Sequence, residues 1–248
     1  MNKIKCDKII LALFILMELL LYITFLYQDI FKKGSLLVST NLKFSSIILC
    51  FVAVFWFYAR ESMTLDIVLL RCAFLFTLIS DLCILMLDFY YLGLITFCIV
   101  QLLYLIRLNC WRKKQGIHSA LWILILRNVL FAMAITGILI TLKISLGGLV
   151  LISIFYFVSI FFNTVDAIRI HSSVPKIQYK LYAIGMVLFF LCDLNVGLFN
   201  LSDYIQIEES WFHKVYEFAT IAMWMFYLPS QVLISLSGFN RDSFSEIH

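Results

Sequence analysis

Long apolar runs alternate with short polar connections along the chain, and this pattern predicts the fold. A helix that crosses the hydrocarbon core of a bilayer needs about 20 mostly apolar residues. Eight runs qualify, and none alternates apolar and polar positions as a β-strand does. The predicted spans are Ile9–Tyr27, Phe44–Ala59, Ile67–Leu87, Phe89–Leu108, His118–Leu142, Leu149–Ile168, Tyr179–Leu201 and Trp211–Leu236.

The composition points to the same class of protein. Of the 248 residues, 63% are hydrophobic and 14% are charged, and the mean hydropathy is +1.01. A soluble chain of this size could not cover so much apolar side chain with polar surface. We therefore predict an all-α, polytopic membrane helical bundle that forms one domain over residues 1–248. The first run is too long for a signal peptide and no small-residue cleavage site follows it, so we interpret it as a retained helix.

The distribution of basic residues predicts the orientation. If the N-terminus lies inside, the predicted inner segments carry 12 Lys and Arg residues and the outer loops carry 5. Because basic residues accumulate on the cytoplasmic side, both termini are predicted to be cytoplasmic. The run Trp-Arg-Lys-Lys at 111–114 is interpreted as a cytoplasmic anchor, and a lipid-headgroup site there is the less favoured alternative. We expect a multi-pass protein of a bacterial cell membrane.

Two carboxylates interrupt the apolar runs, Asp81 in the third helix and Asp193 in the seventh. A charge at the centre of a membrane helix costs about 2.5–3.5 kcal/mol on insertion scales, so such residues indicate function. Each lies 14 residues beyond the predicted inner end of its helix, which places both about 20 Å along it. Their equal depth and similar flanking residues hint that helices 5–8 repeat helices 1–4.

A structural role for these carboxylates would require basic partners. Arg71 is the candidate for Asp81, but it lies about 15 Å away along the same helix. Arg127 is the candidate for Asp193, but it lies nearer the inner end, where Asp166 is a better partner. Two carboxylates in one apolar cavity favour a proton on at least one of them. We therefore favour an active-site or transport role over a packing role.

Further polar side chains share faces with the predicted cavity. Gln101 and Tyr104 are three positions apart in the fourth helix, and Tyr227 and Gln231 are four apart in the eighth. Binding of a substrate and interhelical hydrogen bonding are equally favoured for these four. Lys43, at the predicted outer start of the second helix, either contacts a lipid phosphate or, more simply, caps the membrane edge.

No motif of a soluble enzyme competes with this interpretation. The chain contains no nucleophile elbow, zinc-protease motif, phosphate-binding loop or dinucleotide-binding glycine pattern. The seven cysteines are scattered through apolar runs without a Cys-x-x-Cys pair, so we interpret them as packing residues. We predict no metal, no organic cofactor and no nucleic-acid partner.

Several stretches together resemble one protein family. LKFSSIILCF, LFTLISDL, YYLGLITFCIVQLLYLIRL, LFFLCDL and YLPSQ are similar, in order and spacing, to the lysoplasmalogenase (YhhN-like) family of eight-helix membrane proteins. The resemblance extends from about residue 35 to residue 237. The positions that match the family's motifs are Lys43, Asp81, Phe97, Gln101, Tyr104, Asp193, Tyr227, Pro229 and Gln231.

The resemblance implies hydrolysis of the vinyl-ether bond of a lysoplasmalogen, which gives a fatty aldehyde and a glycerophospho-base. In that reaction one Asp would protonate the vinyl ether, and the other, ionised, would stabilise the cation and orient water. The chain departs from the family pattern at Ser80, Gln101 and Cys192, where Gly, His and Ser are usual. The alternative is a non-catalytic or transport-type protein of the same fold that uses the Asp pair to bind a ligand or a proton.

Overall fold

The computed structural model describes residues 3–31, 35–58, 64–117, 120–143, 146–200 and 210–238. These residues form eight α-helices and no strand, so the predicted all-α fold is confirmed. Each helix is long and apolar enough to cross a membrane. The helices are Lys3–Phe31 (α1), Leu36–Phe57 (α2), Leu65–Asp81 (α3), Tyr90–Lys114 (α4), Leu121–Thr141 (α5), Gly148–Ser173 (α6), Ile177–Phe199 (α7) and Ser210–Leu236 (α8).

Helix α2 begins earlier than predicted. It starts at Leu36, where the Ser35 side chain caps it by accepting a hydrogen bond from the Val38 amide. The polar residues of its first two turns lowered the hydropathy and concealed this start. The prediction that Lys43 stands at the beginning of the helix is therefore wrong, since Lys43 lies two turns inside it. The predicted helix ends at Ala59, His118 and Leu201 lie outside the described residues.

Helix α4 extends to Lys114, six residues beyond its predicted end. Trp111 in this extension is only 1% exposed. Its ring packs against Tyr179 and Tyr182 of α7, with centroids 4.7 and 5.1 Å apart. The prediction that Trp111 is an anchor at the membrane surface is therefore wrong, since its ring packs inside the bundle while Lys113 and Lys114 of the same run are exposed.

Six helices form a closed ring. Each packs on the next in the order α2, α3, α4, α6, α7, α8, and α8 closes the ring on α2. Helix α1 lies outside, against α2 and α8, and α5 lies outside, against α6 and α4. Accordingly, α1 and α5 bury the smallest share of their residues, while α3 and α4 bury the largest.

The two halves of the chain occupy equivalent places in this arrangement. The first helix of each half, α1 or α5, is peripheral, and the next three form half of the ring. Helix α3 thus corresponds to α7, and Asp81 corresponds to Asp193. Each of these carboxylates lies sixteen residues after the first residue of its helix. The sequence suggested an internal repeat and matching positions for the two carboxylates, and these equivalent places agree with both.

Two glycines allow neighbouring helical segments of the ring to pack at short distances. A Cβ atom at Gly93 of α4 would overlap the side chain of Ile84. A Cβ atom at Gly185 of α7 would lie 2.7 Å from Ile234 Cγ1 and 3.1 Å from the Ser230 carbonyl oxygen of α8. Only a residue without a side chain allows the α7 and α8 backbones to approach this closely.

We expect Gly185→Ala to lower the thermal unfolding midpoint of the purified protein in detergent. Overpacking costs about 1–3 kcal/mol. Gly197→Ala, on the same helix, is the matched control because a Cβ atom there meets nothing within 4 Å. Alanine favours a helix interior over glycine by up to about 1 kcal/mol, so the control should be unchanged or more stable. Equal midpoints for the two variants would contradict the close contact between α7 and α8.

Candidate functional site

Asp81 lies where α3 changes its helical geometry. It is the last residue of α3, and the chain continues as one π-helical turn, Leu82–Met86. Such turns are frequent at functional sites because they redirect side chains without ending the helix. The Asp81 side chain is nearly fully buried, with the residue 3% exposed.

A tyrosine holds each of the two carboxylates. The Tyr227 hydroxyl of α8 donates a 2.6 Å hydrogen bond to Asp81 Oδ2. The Tyr156 hydroxyl of α6 donates a 2.7 Å hydrogen bond to Asp193 Oδ2. Both tyrosines are buried, whereas Asp193 is partly exposed. Among the described residues neither carboxylate belongs to an ion pair, so hydroxyl donors take the place of basic partners.

The two pairs meet around shared apolar residues. The Phe97 ring of α4 lies between the tyrosines, with its centroid 5.9 Å from that of Tyr156 and 6.4 Å from that of Tyr227. Phe189 of α7 also packs on Tyr227, at 5.5 Å. Phe189 also lies 6.0 Å from Phe97, so the rings of α4, α6, α7 and α8 form one cluster that joins the two tyrosines. The ring of helices therefore brings both carboxylates to one central region.

A second polar layer lies one turn away along α4. Gln101 is fully buried, and Asn163 Nδ2 of α6 donates to both its side-chain and its main-chain oxygen at 2.9 Å. For Gln101 the sequence left substrate binding and interhelical hydrogen bonding open, and this contact is an interhelical hydrogen bond. Gln101 Nε2 and Asn163 Oδ1 have no hydrogen-bond partner within the described part of the chain. Tyr104 is also fully buried and packs edge-on against Tyr182, at 5.7 Å.

Lys43 is buried on the other side of Tyr227. Its Nζ atom lies 2.7 Å from Asp29 Oδ2 and 4.7 Å from the centroid of the Trp224 ring. Trp224 in turn contacts Tyr227, with centroids 5.6 Å apart. Lys43 thus joins α1, α2 and α8, and Trp224 lies between it and Tyr227 of the candidate site. Its proposed contact with a substrate phosphate stays a prediction.

Gln231 and Pro229 differ in what they do within α8. Gln231 is fully buried, and its only described hydrogen bond, from Nε2 to Ser230 Oγ, is long at 3.4 Å. Pro229 has no N–H group, so the Met225 carbonyl has no donor from its own helix. The Tyr22 hydroxyl of α1 donates to that carbonyl at 3.1 Å. Pro229 therefore creates a docking point for α1.

Sequence reasoning missed a third intramembrane carboxylate. Glu18 of α1 is 5% exposed and accepts hydrogen bonds from Ser46 Oγ and, at 3.3 Å, from Cys50 Sγ of α2. The sequence pattern around Glu18 is the same as that around Asp81 and Asp193, an acidic residue within a long apolar run. Tyr156 gave no comparable signal, because a tyrosine among aromatic residues is ordinary in such a helix.

Two arginines within the helices pair with carboxylates other than Asp81 and Asp193. Arg107 is fully buried in α4 and binds Asp66 at 2.8 Å and Ser237 Oγ at 2.8 Å. Arg127 lies 3.2 Å from Asp166, which confirms the pairing expected from the sequence. Within the described ranges, no three His, Cys, Asp or Glu side chains cluster closely enough to bind a metal.

These features define a polytopic helical membrane protein in which two intramembrane carboxylates are held by tyrosines at the centre of a helical ring. The chain belongs to the YhhN family, whose model matches residues 39–238, and that family includes lysoplasmalogenases. The resemblance found in the sequence is thereby confirmed at the level of the family. The match begins inside α2 and leaves α1 outside. No curated protein and no solved structure matched the sequence.

We expect the hydrogen bond between Tyr227 and Asp81 to be measurable as a coupling energy. Tyr227→Phe, Asp81→Asn and the double variant form a double-mutant cycle, read from unfolding in detergent. A hydrogen bond to a buried carboxyl group should give coupling of about 1 kcal/mol or more.

The cycle of Tyr227→Phe with Asp193→Asn is the matched control, since Asp193 receives its hydrogen bond from Tyr156. It should show the smaller coupling. If both cycles gave the same value, the pairing of Tyr227 with Asp81 would be refuted.

Proposed function

We propose that this protein hydrolyses the vinyl-ether bond of lysoplasmalogens, with Asp81 and Asp193 as its acid and base. The observation that carries the proposal is the pair of tyrosine-held carboxylates, one from each half of the chain, whose tyrosines both pack on Phe97. Membership of the YhhN family supports this substrate class.

The chemistry needs only two carboxyl groups and water. One carboxylic acid gives its proton to the β-carbon of the vinyl ether, which leaves an oxocarbenium ion. Water adds to that ion and transfers a proton to the second, ionised carboxylate. The hemiacetal then collapses, its hydroxyl proton passes to the leaving oxygen, and an aldehyde and a glycerophospho-base are released. One water molecule is consumed and the two carboxyl groups regain one proton between them.

The surroundings of the pair suit an alkenyl substrate. Phe97 presents apolar ring surface next to both tyrosines, and Phe189 presents it next to Tyr227. Asp193 is partly exposed, so in this proposal the substrate enters on its side of the pair. The tyrosine hydroxyls would fix the orientation of each carboxylate, as positioned groups do in acid–base catalysis. In this proposal Gln101, Tyr104 and Gln231 line the substrate path, and Lys43 contacts the phosphate.

One observation favours the binding alternative. Gln101 stands where the family pattern has His, and its amide cannot exchange a proton as an imidazole does. A protein that binds a lysolipid or a proton without hydrolysis would keep the carboxylate pair and tolerate this change. The assay below separates the two functions, because binding alone releases no aldehyde.

We expect purified protein to release aldehyde from a lysoplasmalogen but not from its saturated ether analogue or from an ester lysophospholipid. Asp81→Asn and Asp193→Asn should each lower the rate by about 100-fold or more, the usual contribution of a general acid or base. Tyr227→Phe and Tyr156→Phe should lower it less, since both carboxyl groups remain.

Asp88→Asn is the matched control for the loss of a carboxylate. Asp88 is exposed in the turn before α4 and has a φ of 54°, which Asn tolerates well. It should retain the full rate. Full activity in either Asp81→Asn or Asp193→Asn would refute the two-carboxylate mechanism, and release of fatty acid from the ester substrate would refute the substrate class.

A further inference from the structure

Three arginines from three helices surround one buried carboxylate far along the bundle from the Asp81–Asp193 pair. Asp166 of α6 is 2% exposed. Arg112 of α4 and Arg127 of α5 lie 3.4 and 3.2 Å from its Oδ2 atom. Arg169, one turn further along α6, lies 3.8 Å from its Oδ1 atom. The C-terminal ends of α4 and α6 and the first turns of α5 therefore share one charge cluster.

The single carboxylate does not neutralise this cluster. Three guanidinium groups and one carboxylate leave an excess of two positive charges. The contacts to Asp166, at 3.2–3.8 Å, are also longer than the ion pairs of Lys43 with Asp29 and of Arg107 with Asp66, which measure 2.7 and 2.8 Å. The three arginines lie around one carboxylate, so their like charges are held close together. Like charges held together in a partly buried place are costly unless a further anion joins them.

The arginines remain accessible to such an anion. The side chains of Arg112 and Arg127 are 20% and 21% exposed, and that of Arg169 is 72% exposed. Arg127 is fixed by its stacking 4.0 Å from the centroid of Phe162. The Arg112 guanidinium carries five N–H donors, so the contact of its Nη1 atom with Asp166 at 3.4 Å leaves others from which an anion can accept.

We propose that Arg112, Arg127 and Arg169 form a binding site for a phosphate group. Guanidinium groups match the geometry of phosphate oxygens and bind them through paired N–H donors. The site lies at the end of the bundle predicted to face the cytoplasm, where anionic lipid headgroups concentrate. The phosphate comes either from such a headgroup or from a free phosphate ion. This site is independent of the proposed hydrolysis.

Titration of the purified full-length protein in detergent with dioleoylphosphatidylglycerol, followed by native mass spectrometry, tests the site. Arg112→Gln and Arg127→Gln should each weaken binding about tenfold, the effect of one charge-assisted hydrogen bond. Lys113→Gln is the matched control, because it removes one charge from an exposed neighbour of Arg112 and should change binding less than twofold. Equal weakening in the control would overturn the proposal in favour of unspecific attraction.

Inorganic phosphate distinguishes the two sources of the ligand. If millimolar phosphate displaces the lipid from the wild-type protein but not from Arg112→Gln, the site accepts the free ion. If phosphate has no effect while the arginine variants still lose the lipid, the site requires a headgroup. Either result supports the site. Lipid binding that is unchanged in both arginine variants would overturn it.

Asp166→Asn and Arg169→Gln should give changes in lipid binding that a loss of folding could not explain. Asp166→Asn removes the anion that competes for the arginines, so it should strengthen lipid binding several-fold, whereas a purely structural cluster would show no gain. Arg169→Gln changes a largely exposed side chain and should weaken binding without lowering the unfolding midpoint. Unchanged binding in both of these variants would also overturn the proposal.

Discussion

Hydrocarbon offers no hydrogen bonds, so each polar side chain within the spans needs a partner supplied by the protein. The closed ring of α2, α3, α4, α6, α7 and α8 provides an interior where such partners meet. Asp81 and Asp193 receive tyrosine hydroxyls, and Asn163 donates to Gln101. Arg107, near one end of the ring, binds Asp66 and Ser237. These hydrogen bonds fix the rotation of the helices more strictly than apolar contacts can, because lipid solvates apolar side chains equally well.

Some contacts that join helices of the ring are also contacts of the candidate site. Tyr227 joins α8 to α3 through Asp81, and Tyr156 joins α6 to α7 through Asp193. Phe97 of α4 fills the space between the two tyrosines. The residues of the candidate site are therefore also part of the helix packing. A side chain that orients a carboxylate here also holds two helices together.

The sequence was sufficient for the existence of the eight helices and for the matching positions of the two carboxylates along α3 and α7, because helix length and rise are properties of single segments. It was insufficient for pairings between segments, which depend on how each helix is rotated. Tyr227 was expected near the site, but its bond to Asp81 was not, and Tyr156 was not expected at all. Polar first turns hid the true start of α2, and a surface role for Trp111 failed because α7 covers that ring.

The equivalence of the two halves has a consequence for acid–base chemistry. A homodimer of four-helix subunits would hold two identical carboxylates, with no reason for one to differ from the other. In this single chain Asp81 takes its tyrosine from the last helix of the opposite half, whereas Asp193 takes its own from a helix of the same half. Asp81 is buried, whereas Asp193 is partly exposed. Within a single chain the two carboxylates can thus have different surroundings, which two chemically alike groups need if one is to donate a proton and the other to accept one.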